Sequence, residues 1–206
     1  MQEKLVPKPN AQRTAETKQA LMAAARRLIM DQGFAETGTP QIVRAAKATR
    51  GALYHHFADK TDLFRAILWA EAQDVSAQIE ATTQGDLAPI EALTEGAASY
   101  FDAMAQPGRA RLLLVDGPAI LGAQEMEQID SATGGEELRQ GLRMMIEAGL
   151  MDSPLEATAD LLSAMIDRAA LAIAAGQPEA DYKAATARMI HGLVHTAEAK
   201  DGATNH

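Results

Sequence analysis

Apolar residues recur at helical spacing along almost all of this 206-residue chain, and no stretch shows the strict alternation of a half-buried strand. That pattern predicts an all-α protein. Helix-breaking residues punctuate it at Gly33, Gly85, Pro89, Pro107-Gly108, Gly117-Pro118, Gly134-Gly135, Gly149, Pro154 and Gly176-Gln177-Pro178, dividing the chain into about ten helices. The first runs from Asn10 or Thr14 to Gln32, with Leu21, Ala24, Ala25, Leu28 and Ile29 on one stripe. Gly33 ends it in a left-handed turn, and Phe34 is placed to fold back on Ile29 as a Schellman closure would have it. Thr39 is expected to cap a short second helix, with Pro40 at its first helical position, ending near Ala46. Thr49 caps a third, Arg50 to about His56, and Asp59 a long fourth that reaches about Thr83. Six more are expected near 88–105, 108–115, 118–131, 135–148, 154–175 and 178–199.

The formal net charge of −9 conceals a division. Residues 1–60 hold ten Lys and Arg against five Asp and Glu, a balance of +5; the remaining 146 hold nine against twenty-three, or −14. A basic face carried on an acidic body follows.

Several classes of protein are disfavoured. With no cysteine there is neither a disulfide framework nor a thiolate nucleophile, and thiolate zinc sites are ruled out. No Gly-rich phosphate loop or nucleophile elbow occurs, so no enzyme is expected. His191 and His195 are spaced i, i+4, but the zinc-protease motif needs a Glu that His191-Gly192-Leu193-Val194-His195 lacks. No metal site or cofactor is expected; the pair reads as a histidine face beside a dimer seam. No apolar block follows Met1-Gln2-Glu3-Lys4-Leu5, and no apolar run approaches the roughly 20 residues of a membrane helix, so the expected location is the cytoplasm.

Two short helices separated by Lys47-Ala48-Thr49 have the dimensions of a helix-turn-helix, and they lie in the basic segment. The second would present its N-terminus to a major groove. Arg50 can pair bidentately with a guanine edge, Gly51 lets the backbone approach, and the Ala52 methyl can touch a thymine methyl. Tyr54, His55 and His56 follow one turn later with donors suited to phosphate, and Lys60 can reach the same strand. Thr39 adds a hydroxyl and exposed amides at a helix N-terminus. Without a motif, Tyr54-His55-His56 reads equally well as a polar surface cluster. Leu53, Phe57 and Ile42 are core residues on either reading.

From Arg13 to Leu63 the chain resembles the DNA-binding domain of the TetR (tetracycline repressor-like) family: Gly33-Phe34, Thr37, Ile42, the run Thr49-Arg50-Gly51-Ala52-Leu53-Tyr54-His55-His56-Phe57 and Lys60 are all in place. The resemblance implies that Thr39, Arg50, Gly51, Ala52, Tyr54, His56 and Lys60 face DNA, with His55 beside them; Thr49 joins them on the helix-end reading alone, since it leads that helix toward the groove. It also implies a homodimeric repressor that binds a palindromic operator in double-stranded DNA and is released by a small-molecule effector. One departure stands out. The family usually has Gly in the turn where this chain has Lys47, which implies either a looser turn or a phosphate contact at that position. Leu114 to Gly122 also resembles part of the family's C-terminal domain.

The expected organisation is a basic arm (1–12), a helix-turn-helix domain (13–58), a ligand-binding and dimerisation domain (59–199) and a frayed tail (200–206). Phe101, Met104, Ile120, Met126, Met145 and Met165 are soft apolar side chains fitted to line a cavity for an apolar or aromatic effector, or equally to fill a core. Asp116 is either a polar anchor in that cavity or a turn carboxylate. Leu161, Ile166, Ala169, Ile173, Ile190, Leu193 and Val194 are the candidate dimer surface, a four-helix bundle being the arrangement the family uses. The rival reading is a DNA-binding regulator without a small-molecule ligand, either controlled by a protein partner or acting as an activator.

Overall fold

The computed structural model describes residues 10–133 and 135–194, which form helices joined by short turns, with no strand among them. Helix α1 (Asn10–Gln32) packs on α2 (Thr39–Ala45) and α3 (Arg50–His56), and α4 (Lys60–Thr83) leads out of this head into the body. There α5 (Pro89–Met104), α6 (Arg109–Arg111), α7 (Gly117–Leu121), α8 (Ala123–Thr133) and α9 (Gly135–Glu147) precede the final pair, α10 (Leu155–Ala174) and α11 (Glu179–His191). Residues 10–12 belong to α1, so the expected arm is shorter than 1–12; residues 1–9 and the tail lie outside the described residues. The last helix ends at His191 with a turn through Val194, and the rest of the expected 178–199 helix, His195 included, is also outside them.

Local chemistry explains the head. Gly33 has φ 87° and donates its N–H to the Ile29 carbonyl at 2.8 Å, a single-bond left-handed closure. Phe34 packs its ring on Phe64, 5.1 Å between centroids, against the cluster that also contains Ile29. The cap of α2 is Gly38; Thr39 is the first helical residue, because the Gln41 side chain reaches back to accept from the Gly38 N–H at 2.7 Å. Thr49 and Asp59 cap α3 and α4 as expected, accepting from Ala52 N–H at 3.1 Å and Asp62 N–H at 2.8 Å.

The body departs from expectation between α6 and α8. Gly117-Pro118 does not end a helix. The chain leaves α6 through a π-helical turn, Leu112–Asp116, in which the Gly117 N–H reaches the Leu112 carbonyl, and continues as α7. Proline has no amide hydrogen to give at the start of α7, and the widened turn just ahead of it absorbs the misfit. The break falls instead at Gly122, φ 89°, which splits the expected 118–131 helix in two.

One hydrophobic core runs through head and body. Leu21, Ala25, Ile29, Ile42, Leu53 and Phe57 meet Leu63, Phe64, Ile67 and Leu68 of α4, whose later residues Ala72, Val75 and Ile79 belong to the same cluster as Leu93, Ala97 and Phe101 of α5. Two charged residues are buried along with it, Glu71 and Arg109, each 8% exposed. Burial pushes the Glu71 carboxyl up, but hydrogen bonds and charge from Arg26 and Arg109 outweigh that and hold it below the ordinary range.

Candidate nucleic-acid interface

Helix α3 is held by one face and open on the other. Leu53 and Phe57, 0% and 3% exposed, anchor it to the core, while Arg50, Gly51, Tyr54 and His55 are exposed and Ala52 and His56 half-buried. The guanidinium of Arg50 lies 5.5 Å from the centre of the Tyr54 ring, one helical turn on, so the arginine is partly ordered before any partner arrives. A Cβ on Gly51 would meet only Thr49 Oγ1, at 3.9 Å; the fold does not require glycine there, and its bareness shortens the approach to the backbone. Burial, His55 and Lys18 all lower the pKa of His56, favouring the neutral imidazole.

The turn before α3 is strained. Lys47 has φ 52°, the left-handed conformation that glycine adopts freely, and hydrogen bonds from Lys47 N–H to Arg44 O (3.2 Å) and Ala48 N–H to Val43 O (3.0 Å) close it tightly. Lys47 thus takes the positive φ that a glycine would take in this turn.

Lys60 has an internal role. Its ammonium donates to the Phe34 carbonyl at 2.8 Å and sits 4.2 Å from the Phe34 ring centre, tying α4 to the loop before α2. Carbonyl acceptors are neutral, so the Lys60 ammonium keeps its charge in this contact. Thr39 is half-buried beside it, in a surface hollow lined by residues 35–41 and Lys60. Sequence reasoning missed Gln32, whose side-chain amide donates to Glu36 O (2.9 Å) and Gln41 Oε1 (3.1 Å) and so fixes the same loop; a glutamine ending a helix carries no signal of that kind.

In the body, Phe101, Met104 and Met145 are 1%, 2% and 0% exposed, packed as core, and Ile120, Met126 and Met165 are half-buried against it. The sulfur of Met126 fills the space over Gly117, where a Cβ would stand 2.8 Å from it. Asp116 lies 3.1 Å from the Arg111 guanidinium across the π turn, and the same buried carboxylate oxygen makes no hydrogen bond among the described residues. A second hollow, lined by Glu80, Thr83, Gln84, Glu136, Glu137 and Gln140, includes none of the residues expected to line an effector cavity. Unforeseen in sequence, Tyr100 donates to Asp167 at 2.6 Å between α5 and α10; burial raises both their pKa values, that of tyrosine strongly. Of the expected dimer surface, Ile166, Ala169 and Ile190 (8%, 5% and 1% exposed) are core of their own subunit, a correction that follows from α10 and α11 packing on α5. Ile173, Leu193 and Val194 are half-buried, and Leu161 and Met189 stand out at 74% and 57%.

Comparison with known proteins agrees with this architecture. Residues 21–67 match the model described as bacterial regulatory proteins, tetR family, and residues 90–197 match the tetracyclin repressor-like C-terminal domain. The second match alone covers more than half of the chain, which therefore belongs to the TetR family. Among curated relatives, the HTH-type transcriptional regulator AcrR of Shigella flexneri is 40% identical over 73 residues, 35% of this chain and 34% of that protein. The HTH-type transcriptional repressor BepR of Brucella suis is 39% identical over 54 residues, 26% of each. The matched stretch thus spans about a third or less of these relatives' length. A TetR-family transcriptional regulator from Pectobacterium atrosepticum superposes with a TM-score of 0.67 at 25% identity, over 91% of this chain and 98% of that one. A regulator described the same way from Syntrophomonas wolfei shares the fold, with a TM-score of 0.75 at 16% identity over 87% and 95%. Among the described residues no helix is long and apolar enough to cross a membrane.

Proposed function

We propose that this chain is a DNA-binding transcriptional repressor that acts as a homodimer, seats one α3 in each of two successive major grooves of a palindromic operator, and is released by a small apolar or aromatic effector. The observation that carries the reading is the open face of α3: Arg50, Gly51, Tyr54 and His55 exposed on a helix whose opposite face is locked into the core by Leu53 and Phe57. Arg50 reads a guanine edge, and Tyr54, His55 and His56 hold phosphates. Leu161 and Met189, apolar and exposed on the last two helices, supply the surface for a second copy. Twofold pairing sets the two α3 helices about 34–36 Å apart, one turn of duplex.

Duplexes selected from a random pool by the purified chain test this. The expected product is an inverted repeat bound with an affinity that falls steeply with salt, as phosphate contacts require. Weak binding with no sequence preference defeats it.

A second reading has its own support. The close packing of Phe101, Met104 and Met145 favours a regulator governed by a protein partner, since an effector would first have to displace side chains such as Met126. Thermal shift with a panel of apolar and aromatic compounds separates the two, because a ligand bound only by the native state raises the melting temperature by mass action.

A further inference from the structure

Head and body are joined by more than the continuous backbone of α4. The Glu71 carboxylate, in the middle of that helix, is gripped from two sides. Arg26 of α1 donates through Nε to Oε1 at 2.6 Å, and Arg109 of α6 donates through Nε to Oε2, also at 2.6 Å. Each arginine then holds a further point: Arg26 Nη2 donates to the Pro107 carbonyl at 3.1 Å, and Arg109 Nη1 to the Ala103 carbonyl at 2.9 Å, with Asp74 3.4 Å from its other nitrogen. One turn beyond Arg26 on the same helix, Met30 lies on Gly108, so close that a Cβ there would be 2.2 Å from the Met30 methyl. Gly108 is at φ 80°, the left-handed conformation that favours glycine, and the flexible end of Met30 fills the space a Cβ would take.

We propose that the Pro107-Gly108-Arg109 turn is a coupling contact: it clamps α1 of the head to the body and, through Glu71, fixes the angle at which the head presents α3. The proposal rests on the DNA-binding reading above. Arg26 and Met30 are positioning residues, remote from the exposed face of α3.

The electrostatics allow a clean test. Glu71 faces two guanidiniums, so losing Arg26 leaves a neutral Glu71–Arg109 pair in the core and no orphaned charge. Arg26 is itself 29% exposed, which limits the loss of stability. Duplexes are selected from a random pool with the intact chain and again with Arg26→Met, and the half-site sequence, half-site spacing and affinity are compared. The expected result is an unchanged half-site sequence, since α3 is untouched, with a broadened distribution of spacings and affinity for the original duplex about five- to thirtyfold weaker. Met30→Ala, which removes only the apolar half of the contact, is expected to broaden the spacing in the same way and serves if Arg26→Met does not fold. Variants that keep one spacing and bind within about twofold of the intact chain overturn the coupling alone. Loss of folding in both also overturns it, because the contact would then serve stability only. If the intact chain selects no duplex, the DNA-binding reading falls, and the coupling with it.

Discussion

The recognition face of the head and the interior of the body use their charges in opposite ways. In the body, four cationic side chains are tied into ion pairs that cross between helices, Arg109 with Glu71, Arg65 with Glu125, Arg139 with Glu156 and Lys183 with Asp102, and Arg26 at the foot of the head joins the first of these. In the head, Arg44, Lys47 and Arg50 are exposed and make no ion pair among the described residues. Charge consumed internally organises a fold; charge left outward on a rigid helix is available to a polyanion. The net acidity of the molecule is therefore a property of the body.

The comparison breaks most visibly if a body charge is deleted. Glu71→Ala leaves two guanidiniums facing each other in a buried site, and denaturant unfolding is expected to show a loss of about 3–5 kcal/mol. Deleting a head charge should do the reverse. Arg50→Ala is expected to leave the unfolding midpoint unchanged and to cost about 1–3 kcal/mol of binding to the selected duplex by anisotropy titration. Lys47→Gly sharpens the contrast further. Relief of the left-handed backbone is worth about 1–2 kcal/mol and the added freedom of the unfolded chain takes back about 0.4–1, so a net gain of about 1 kcal/mol in unfolding is expected.

The smallest effect concerns His56. Its native pKa lies below the ordinary value, so above about pH 6.5 it contributes nothing, and as pH falls through that value the unfolded chain takes up the proton first and stability declines. A phosphate beside the ring would reverse the shift in the complex, so affinity for the selected duplex is expected to rise as pH falls from about 8 to 6, and His56→Gln to flatten that rise.

The head was far more legible in the sequence than the body, and the reason is range. Thr49, Asp59 and Gly33 act within one turn of their own positions, and each cap or closure sits at its expected residue. Even the miss at Thr39 is an offset of one, caused by Gln41 serving the Gly38 amide. The body is decided over longer distances. Arg109 finds Glu71 38 residues away and Tyr100 finds Asp167 67 away, which no local pattern announces. Met104 and Met145 are as suited to a core as to a cavity, and their burial depends on neighbouring helices that no local pattern specifies. Gly117-Pro118 misled because a π turn can carry a helix past a proline that local rules treat as a stop.

Dimethyl sulfate probing of a selected duplex reads guanine N7, which lies in the major groove, and so tests most directly whether α3 enters it. Protection of guanine N7 in both half-sites by the intact chain, with one guanine per half-site becoming reactive again in Arg50→Ala, is the predicted result; unprotected major-groove guanines under a fully bound chain would contradict it.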